Sequence, residues 1–224
     1  MNAPRWALGA ATFLLLACKA PTGDKLAQQG VEAAYRGEHA PAAALFQRAL
    51  DTGLDTGLAT VEEAEVRLLL ARAHEGAGDL VQARAAYDEL LAKFPDSAQG
   101  WLGLVDLIKK QGDEAEAAAT LQRAIAAAPG NATLLLRAGM HALEANKPEL
   151  ARAHFEVAVE AQPGHAPSCA QLALLGAGRG EFAVADQFLM RAVQSGYPDG
   201  VAMKTRIEAL KAGGEPDPEK ASAP

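Results

Sequence analysis

The side chains that could support catalysis or bind a metal ion are scattered along this sequence. The histidines occupy five separate positions: His39, His74, His141, His154 and His165. None of them forms a known nucleophile pattern with a serine or cysteine. A phosphate-binding glycine loop, a dinucleotide-binding glycine motif and the His-Glu-x-x-His zinc pattern are also missing. The sequence therefore predicts no enzyme, no catalytic residue and no cofactor.

His165 and Cys169 are spaced so that a helix could place two metal ligands on one face. A zinc site usually has three or four ligands, however. The pair therefore favours a histidine in a turn beside a packed cysteine, and the sequence predicts no metal site. The many glutamates are interpreted as the solvated faces of helices.

The residues that do follow a regular spacing are small residues, large apolar residues and prolines, which recur every 34 positions. The clearest copy has Ala151, Phe155, Ala158 and Pro163. The other copies are Ala117, Leu121, Ala124 and Pro129; Ala83, Tyr87, Leu90 and Pro95; Ala185, Leu189 and Ala192, with Tyr197-Pro198 at the end; and, more weakly, Ala42, Phe46 and Ala49, with Leu54 where the proline would stand. Small residues let two helices approach, and a large residue fills the space beside them. The pattern therefore predicts helix packing rather than a reactive site.

A second set of positions, about five residues before each first alanine, indicates a turn. These positions hold Gly37, Gly78, Gly112, Asn146 and Gly180. Glycine, and less often asparagine, is expected where a chain leaves a helix through left-handed backbone. Each unit is therefore predicted to contain helix A, a tight turn and helix B, which ends at a proline.

This unit resembles the tetratricopeptide repeat (TPR), whose period is 34 residues. The third copy has Trp101 and Leu104 at pattern positions in helix A. The position of closest approach between helices A and B holds Gly30, Ala71, Val105, Gly139 and Ala173 in the five copies. Val105 departs from the small residue of the pattern, and we expect it to loosen the contact between the two helices of its repeat.

The resemblance implies an all-α fold, an α-solenoid of about five TPR hairpins with a C-terminal capping helix. The predicted repeats are residues 23–56, 64–97, 98–131, 132–165 and 166–199. A capping helix is predicted over residues 200–212, followed by a disordered tail over residues 213–224.

Seven extra residues, 57–63, separate the first two repeats. Thr60 and Glu63 have the spacing of a capping box that would open the next helix. The segment favours a longer loop with an early helix start. A hinge, or a contact with a partner near the membrane, is the alternative.

In TPR proteins helix A lines the concave surface, and the resemblance implies that this surface binds a protein partner. The positions that would line this groove are Val31, Leu68, Arg72, Leu102, Asp106, Lys109, Leu136, Met140 and Leu174. The set is mostly apolar and lacks the Lys and Asn pattern with which some TPR proteins grip a terminal carboxylate. It suits an amphipathic helix or a hydrophobic strand of a partner. Alternatively, the leucines extend the core between repeats.

The N-terminal residues resemble the signal peptide of a bacterial lipoprotein. Arg5 precedes an apolar run of about 12 residues, which is too short to span a bilayer as a helix. Residues 15–18, Leu-Leu-Ala-Cys, resemble a lipobox. This implies removal of residues 1–17, acylation of Cys18, including palmitate, and a short tether over residues 18–22. Cleavage after Ala20 is the alternative, which the following proline disfavours.

Lys19 follows the cysteine, which by resemblance to bacterial sorting rules favours the outer membrane, with the domain facing the periplasm. A surface-facing orientation stays open. The formal net charge of −7 argues against a nucleic-acid partner. We therefore expect a membrane-anchored adaptor for protein partners, similar to the pilotin-type TPR lipoproteins that assist a pilus secretin. A generic scaffold that recruits peptidoglycan hydrolases or outer-membrane assembly factors is the alternative.

Overall fold

The structure, a computed structural model, describes residues 21–54 and 62–213. These residues form eleven α-helices and no β-strand. The helices are α1 Gly23–Tyr35, α2 His39–Thr52, α3 Glu63–Gly76, α4 Leu80–Lys93, α5 Ala98–Lys110, α6 Glu114–Ala127, α7 Ala132–Glu144, α8 Pro148–Ala161, α9 Ala166–Gly178, α10 Phe182–Gln194 and α11 Gly200–Lys211.

The first ten helices form five hairpins, in which an odd-numbered helix A packs against the helix B that follows it. Each hairpin also packs against the next along the chain, and the helices A of successive repeats touch each other. This arrangement confirms the predicted all-α solenoid. One hairpin cannot bury its own apolar face, so the stack of hairpins provides the core.

The turns between helices A and B have the left-handed backbone that the sequence predicts. Gly37, Gly78, Gly112 and Gly180 have φ values of 76°, 81°, 84° and 76°. Asn146 has a φ of 56° and is the one non-glycine residue with positive φ in the described part of the chain. Asparagine adopts left-handed backbone more readily than most other non-glycine residues, which explains why it can replace glycine at this turn of the fourth repeat.

Prolines follow helix B at the end of the middle repeats. The helices α4, α6 and α8 each end two residues before a proline. Phe94, which precedes Pro95, has a φ of −126° and a ψ of 74°, since the proline ring excludes the helical conformation of the residue before it. The carbonyl of Pro95 accepts a hydrogen bond of 2.8 Å from Trp101 Nε1, which joins this turn to helix A of the next repeat.

In the first and fourth repeats a glycine of helix A faces an aromatic ring of helix B. A Cβ atom added to Gly30 would lie 2.7 Å from the ring of Phe46, and one added to Gly139 would clash with the ring of Phe155. Both rings are fully buried. The contact therefore requires glycine at these two positions.

The start of α3 corrects one prediction. The helix begins at Glu63, and Glu62 is its N-cap residue without a side-chain capping bond, so Glu63 does not act as the third residue of a capping box. Its carboxylate instead binds Lys93 Nζ at 2.6 Å and Arg67 Nε at 2.9 Å. These two cations lower the pKa of Glu63, Lys93 more than Arg67. Thr60 lies outside the described residues, as does most of the insertion with its possible hinge.

Helix α11 lies within the predicted capping segment and covers the last repeat. Its Met203 and Ile207 are buried against that repeat, and Lys211 Nζ lies 2.6 Å from Asp186 Oδ2 on α10. Val201 on the same helix is 84% exposed and does not take part in this contact. None of the described helices has the length and hydropathy of a membrane span. Cys18 and the predicted tail from residue 214 lie outside the described residues.

Candidate protein-binding groove

The predicted groove residues lie on helix A of successive repeats, but they differ in exposure. Leu68 is 5% exposed and belongs to the core. Val31 and Leu174 are half-buried against the core at either end of the solenoid. Leu102 and Leu136, in the middle repeats, are likewise half-buried against the core. The leucines therefore contribute to the core between repeats as well as to the groove.

The middle repeats hold an open pocket of about 310 Å³ between α5 and α7, with α6 behind it. Four predicted groove residues line it: Leu102, Lys109, Leu136 and Met140. The register of the repeat did not predict the other lining residues, which are Val105, Leu121, Thr133, Arg137, His141 and Glu144. Arg72, on α3, is exposed and lies outside this pocket.

The pocket forms where the third repeat departs from the glycine–aromatic contact. Val105 stands at the position of Gly139, and Leu121 stands at the position of Phe155. Both side chains are buried and line the pocket. Helices α5 and α6 pack less closely than the other four A–B pairs, in agreement with a valine at the position where the other repeats have glycine or alanine. The expected looser contact is confirmed.

Two ion pairs cross the groove from α5 to α7. Asp106 Oδ1 lies 2.7 Å from Arg137 Nη1, and Lys109 Nζ lies 2.5 Å from Glu144 Oε2. The predicted groove charges at positions 106 and 109 are thus matched by partners one repeat later. Partly exposed pairs of this kind contribute about 0–1 kcal/mol each, so their main effect is to set the polarity of the pocket rim.

A third link joins α3 to α5 and includes the buried phenol of Tyr87 on α4. Tyr87 donates a hydrogen bond of 2.9 Å to Glu75 Oε1, and the other oxygen of this carboxylate lies 3.0 Å from Lys110 Nζ on α5. Burial, and then the hydrogen bond to Glu75, raises the pKa of Tyr87. The phenol therefore stays neutral and acts as a donor that orients the carboxylate.

The predicted turn histidine beside a packed cysteine is also confirmed. His165 is the N-cap residue of α9, and its Nδ1 lies 2.8 Å from Ser168 Oγ. Cys169 is fully buried. Burial lowers the pKa of His165 and raises that of Cys169, so both side chains favour their neutral forms. The two residues therefore have the features of packed structural side chains rather than of a reactive centre.

Stacked helical hairpins with an apolar pocket on the helix A side define a helical-repeat scaffold for binding other proteins. The tetratricopeptide repeat family model matches residues 28–98, 68–132 and 102–166, which together exceed half of the chain. The chain belongs to the tetratricopeptide repeat family. No curated protein matches it.

Three solved structures share the fold at low sequence identity. The chain is similar to Pseudomonas aeruginosa pilF, with a TM-score of 0.61, 19% identity and coverage of 85% of this chain and 87% of the other. For MamA the TM-score is 0.54, with 19% identity and coverage of 74% and 93%. For a thermophilic TPR protein from Thermus thermophilus it is 0.53, with 20% identity and coverage of 84% and 98%.

Proposed function

We propose that this protein is an adaptor anchored by lipid to the outer membrane, and that it binds a protein partner in the concave groove. The observation that carries the proposal is the open pocket at the third and fourth repeats. Leu102, Leu136 and Met140 form much of its apolar surface, and none of the three is fully buried. A partner that covers them gains about 25 cal/mol for each Å² of apolar surface removed from water.

The pocket has room for one large anchoring side chain of a partner. Its volume of about 310 Å³ is at the small end of ligand sites, which span roughly 300–1,000 Å³. Its rim carries the two ion pairs that join α5 to α7. The proposed ligand is therefore an amphipathic helix or a hydrophobic strand with a large apolar residue that enters the pocket.

The partner that we propose is a component of an envelope complex such as a pilus secretin, whose assembly or localisation the adaptor would assist. The support is the lipobox-like sequence at residues 15–18 with Lys19 after it, together with contiguous repeats of constant length. Recruitment of peptidoglycan hydrolases or outer-membrane assembly factors is the second candidate. We propose no enzymatic activity, and the hydrolase activity of the purified chain is the assay that would contradict this.

The groove proposal is tested by recovery of a secretin from solubilised outer membranes. Leu102→Glu combined with Leu136→Glu places two carboxylates in the pocket, and we expect recovery to fall by about tenfold or more. The matched control is Leu150→Glu with Val157→Glu, on α8 and outside the pocket, where the side chains are 48% and 44% exposed. Equal recovery by the two double variants would contradict groove binding.

The identity of the partner is tested by photo-crosslinking in intact cells. A benzophenone side chain at position 140 should crosslink to the secretin, whereas the same group at position 157 should not. Crosslinks from position 140 only to a hydrolase or to an assembly factor of the outer membrane would replace the pilus proposal with its alternative.

The anchor is tested separately by Cys18→Ala. This change should release the chain from membranes into the soluble periplasmic fraction, because several acyl chains are needed for stable anchoring. Retention in the membrane fraction would contradict lipidation at Cys18 without bearing on the groove.

A further inference from the structure

Three side chains that can bind metals meet beside the pocket, at the junction of the third and fourth repeats. Glu114 is the first residue of α6, whereas His141 and Glu144 lie one turn apart at the end of α7. One potential ligand atom from each residue lies within 4.8 Å of the other two. The sequence conceals this group, because Glu114 is remote from the other two residues along the chain.

The imidazole of His141 provides a second, independent observation. Its Nδ1 is buried, and among the described residues it is the one buried side-chain nitrogen or oxygen that lacks a hydrogen-bond partner. Buried polar groups are nearly always paired. A nitrogen without a protein hydrogen-bond partner that faces two carboxylates is placed to share a cation with them.

The distances agree with the spacing of ligands around one ion. His141 Nδ1 lies 3.7 Å from Glu114 Oε2 and 3.8 Å from Glu144 Oε2, which is too far for hydrogen bonds. Two ligands that are each about 2.0–2.2 Å from a tetrahedral zinc ion lie about 3.4 Å apart. Rotation of the two exposed glutamate side chains would bring the three ligand atoms to this spacing.

We propose that Glu114, His141 and Glu144 bind one divalent transition-metal ion, for which zinc is the best match. A neutral imidazole favours zinc, copper, nickel and cobalt over magnesium and calcium. Three protein ligands leave a position for water or for a donor from another molecule. The ion would join α6 to α7 and thereby link two repeats. This proposal rests on the geometry of the three side chains and is independent of the proposed partner.

Substitution of Lys109 tests the proposal with an expected effect on zinc affinity opposite to that of the ligand substitutions. Its ammonium lies 2.5 Å from the same Glu144 oxygen that faces His141. A carboxylate has about four lone-pair sites, so Glu144 can bind both, but a nearby positive charge opposes a cation. Removal of this charge should therefore strengthen metal binding, whereas removal of a ligand should weaken it.

The experiment measures zinc binding to the full chain, produced without a polyhistidine tag, by competition with a chromophoric chelator. We expect one equivalent of zinc per chain. Glu114→Gln and His141→Gln should weaken binding by about tenfold or more, and Lys109→Met should tighten it by up to about tenfold. His154→Gln is the matched control, because this half-buried histidine on α8 lies outside the cluster.

Two results would overturn the proposal. One is an equivalent of zinc that binds with unchanged affinity in both Glu114→Gln and His141→Gln, which would place the ion elsewhere. The other is a failure of both the wild type and Lys109→Met to take zinc from the chelator. The Glu114 side chain is 62% exposed, so its amide variant keeps the fold, and the test remains valid even if His141→Gln unfolds.

Discussion

The third and fourth repeats are adjacent copies of one pattern, yet they pack differently. In the fourth repeat Gly139 lets the ring of Phe155 lie against the backbone of helix A, and the ring is fully buried. In the third repeat Val105 and Leu121 occupy these positions, and the groove opens into a pocket of about 310 Å³. The open surface thus lies beside the repeat whose helices A and B pack least closely.

The difference also appears in the core. One large cluster of buried residues runs from the first repeat to Ala124 and Leu134, and a second runs from Ala142 to Ile207. The pocket lies where these two clusters meet. Because a solenoid is stabilised by contacts between neighbouring repeats, this junction is where the buried core of the chain is divided.

The largest expected difference between the two repeats comes from truncation of the packed residue. Phe155→Ala should lower the free energy of unfolding by about 3–5 kcal/mol, because it leaves a closed cavity. Leu121→Ala should cost about 2–3 kcal/mol, since its side chain borders an open pocket that water can enter. Urea unfolding of the full chain measures both variants. A greater loss for Leu121→Ala would contradict the comparison.

The next effect tests the close contact itself. Gly139→Ala should destabilise the protein by about 1–3 kcal/mol, because the added methyl group meets the ring of Phe155. Gly178→Ala, in the last turn of α9, is the control: a Cβ atom there meets nothing within 4 Å, so we expect a neutral to slightly stabilising change of up to about 1 kcal/mol. The thermal unfolding midpoint should fall in Gly139→Ala and should stay the same or rise in Gly178→Ala. Equal midpoints in the two variants would contradict the close contact at Gly139.

An exchange of residues should convert one repeat into the other. Val105→Gly with Leu121→Phe gives the third repeat the contact of the fourth, and we expect the pocket to close. Partner binding should then weaken by about tenfold, or about 1.4 kcal/mol, while helix content is retained. A titration with the partner identified by photo-crosslinking measures this affinity. Unchanged affinity in a folded double variant would show that the partner does not use the pocket.

The smallest effect concerns the turns of these two repeats. Asn146→Ala should destabilise the protein by about 1 kcal/mol, because alanine disfavours left-handed backbone, whereas Asn146→Gly should be neutral or stabilising. Gly112→Asn in the third repeat should cost less than Gly112→Ala. Chemical denaturation of the four variants tests this order, and equal costs for alanine and asparagine at position 112 would contradict the role of the asparagine side chain.

Much of the fold could be predicted from spacing alone. A 34-residue period, the turn residues and the prolines act within a few positions of the chain, so they predict helices, turns and hairpins without knowledge of distant contacts. The one failure at a helix start, Glu63, has a tertiary cause. Its carboxylate is bound by Lys93, 30 residues away, and this contact is invisible to a local capping pattern.

The candidate site was predictable only in part. Helix A positions 102, 109, 136 and 140 follow from the register of the repeat, and all four line the pocket. Leu68 has the same register but is buried, because the second repeat packs more closely against its neighbours. His141 and Glu144 also line the pocket but were not among the predicted groove positions, and their proximity to Glu114 in another helix appears only in the tertiary structure.

By itself the sequence determined the class of fold, the left-handed turns and the helix A face, because these depend on residue types at short, regular intervals. Only the tertiary structure decided which part of that face stays open. The depth of the groove depends on how closely α5 and α6 approach, and on which charged side chains meet across α5, α6 and α7. Such distances arise from the packing of residues that are far apart in the chain, and no local pattern specifies them.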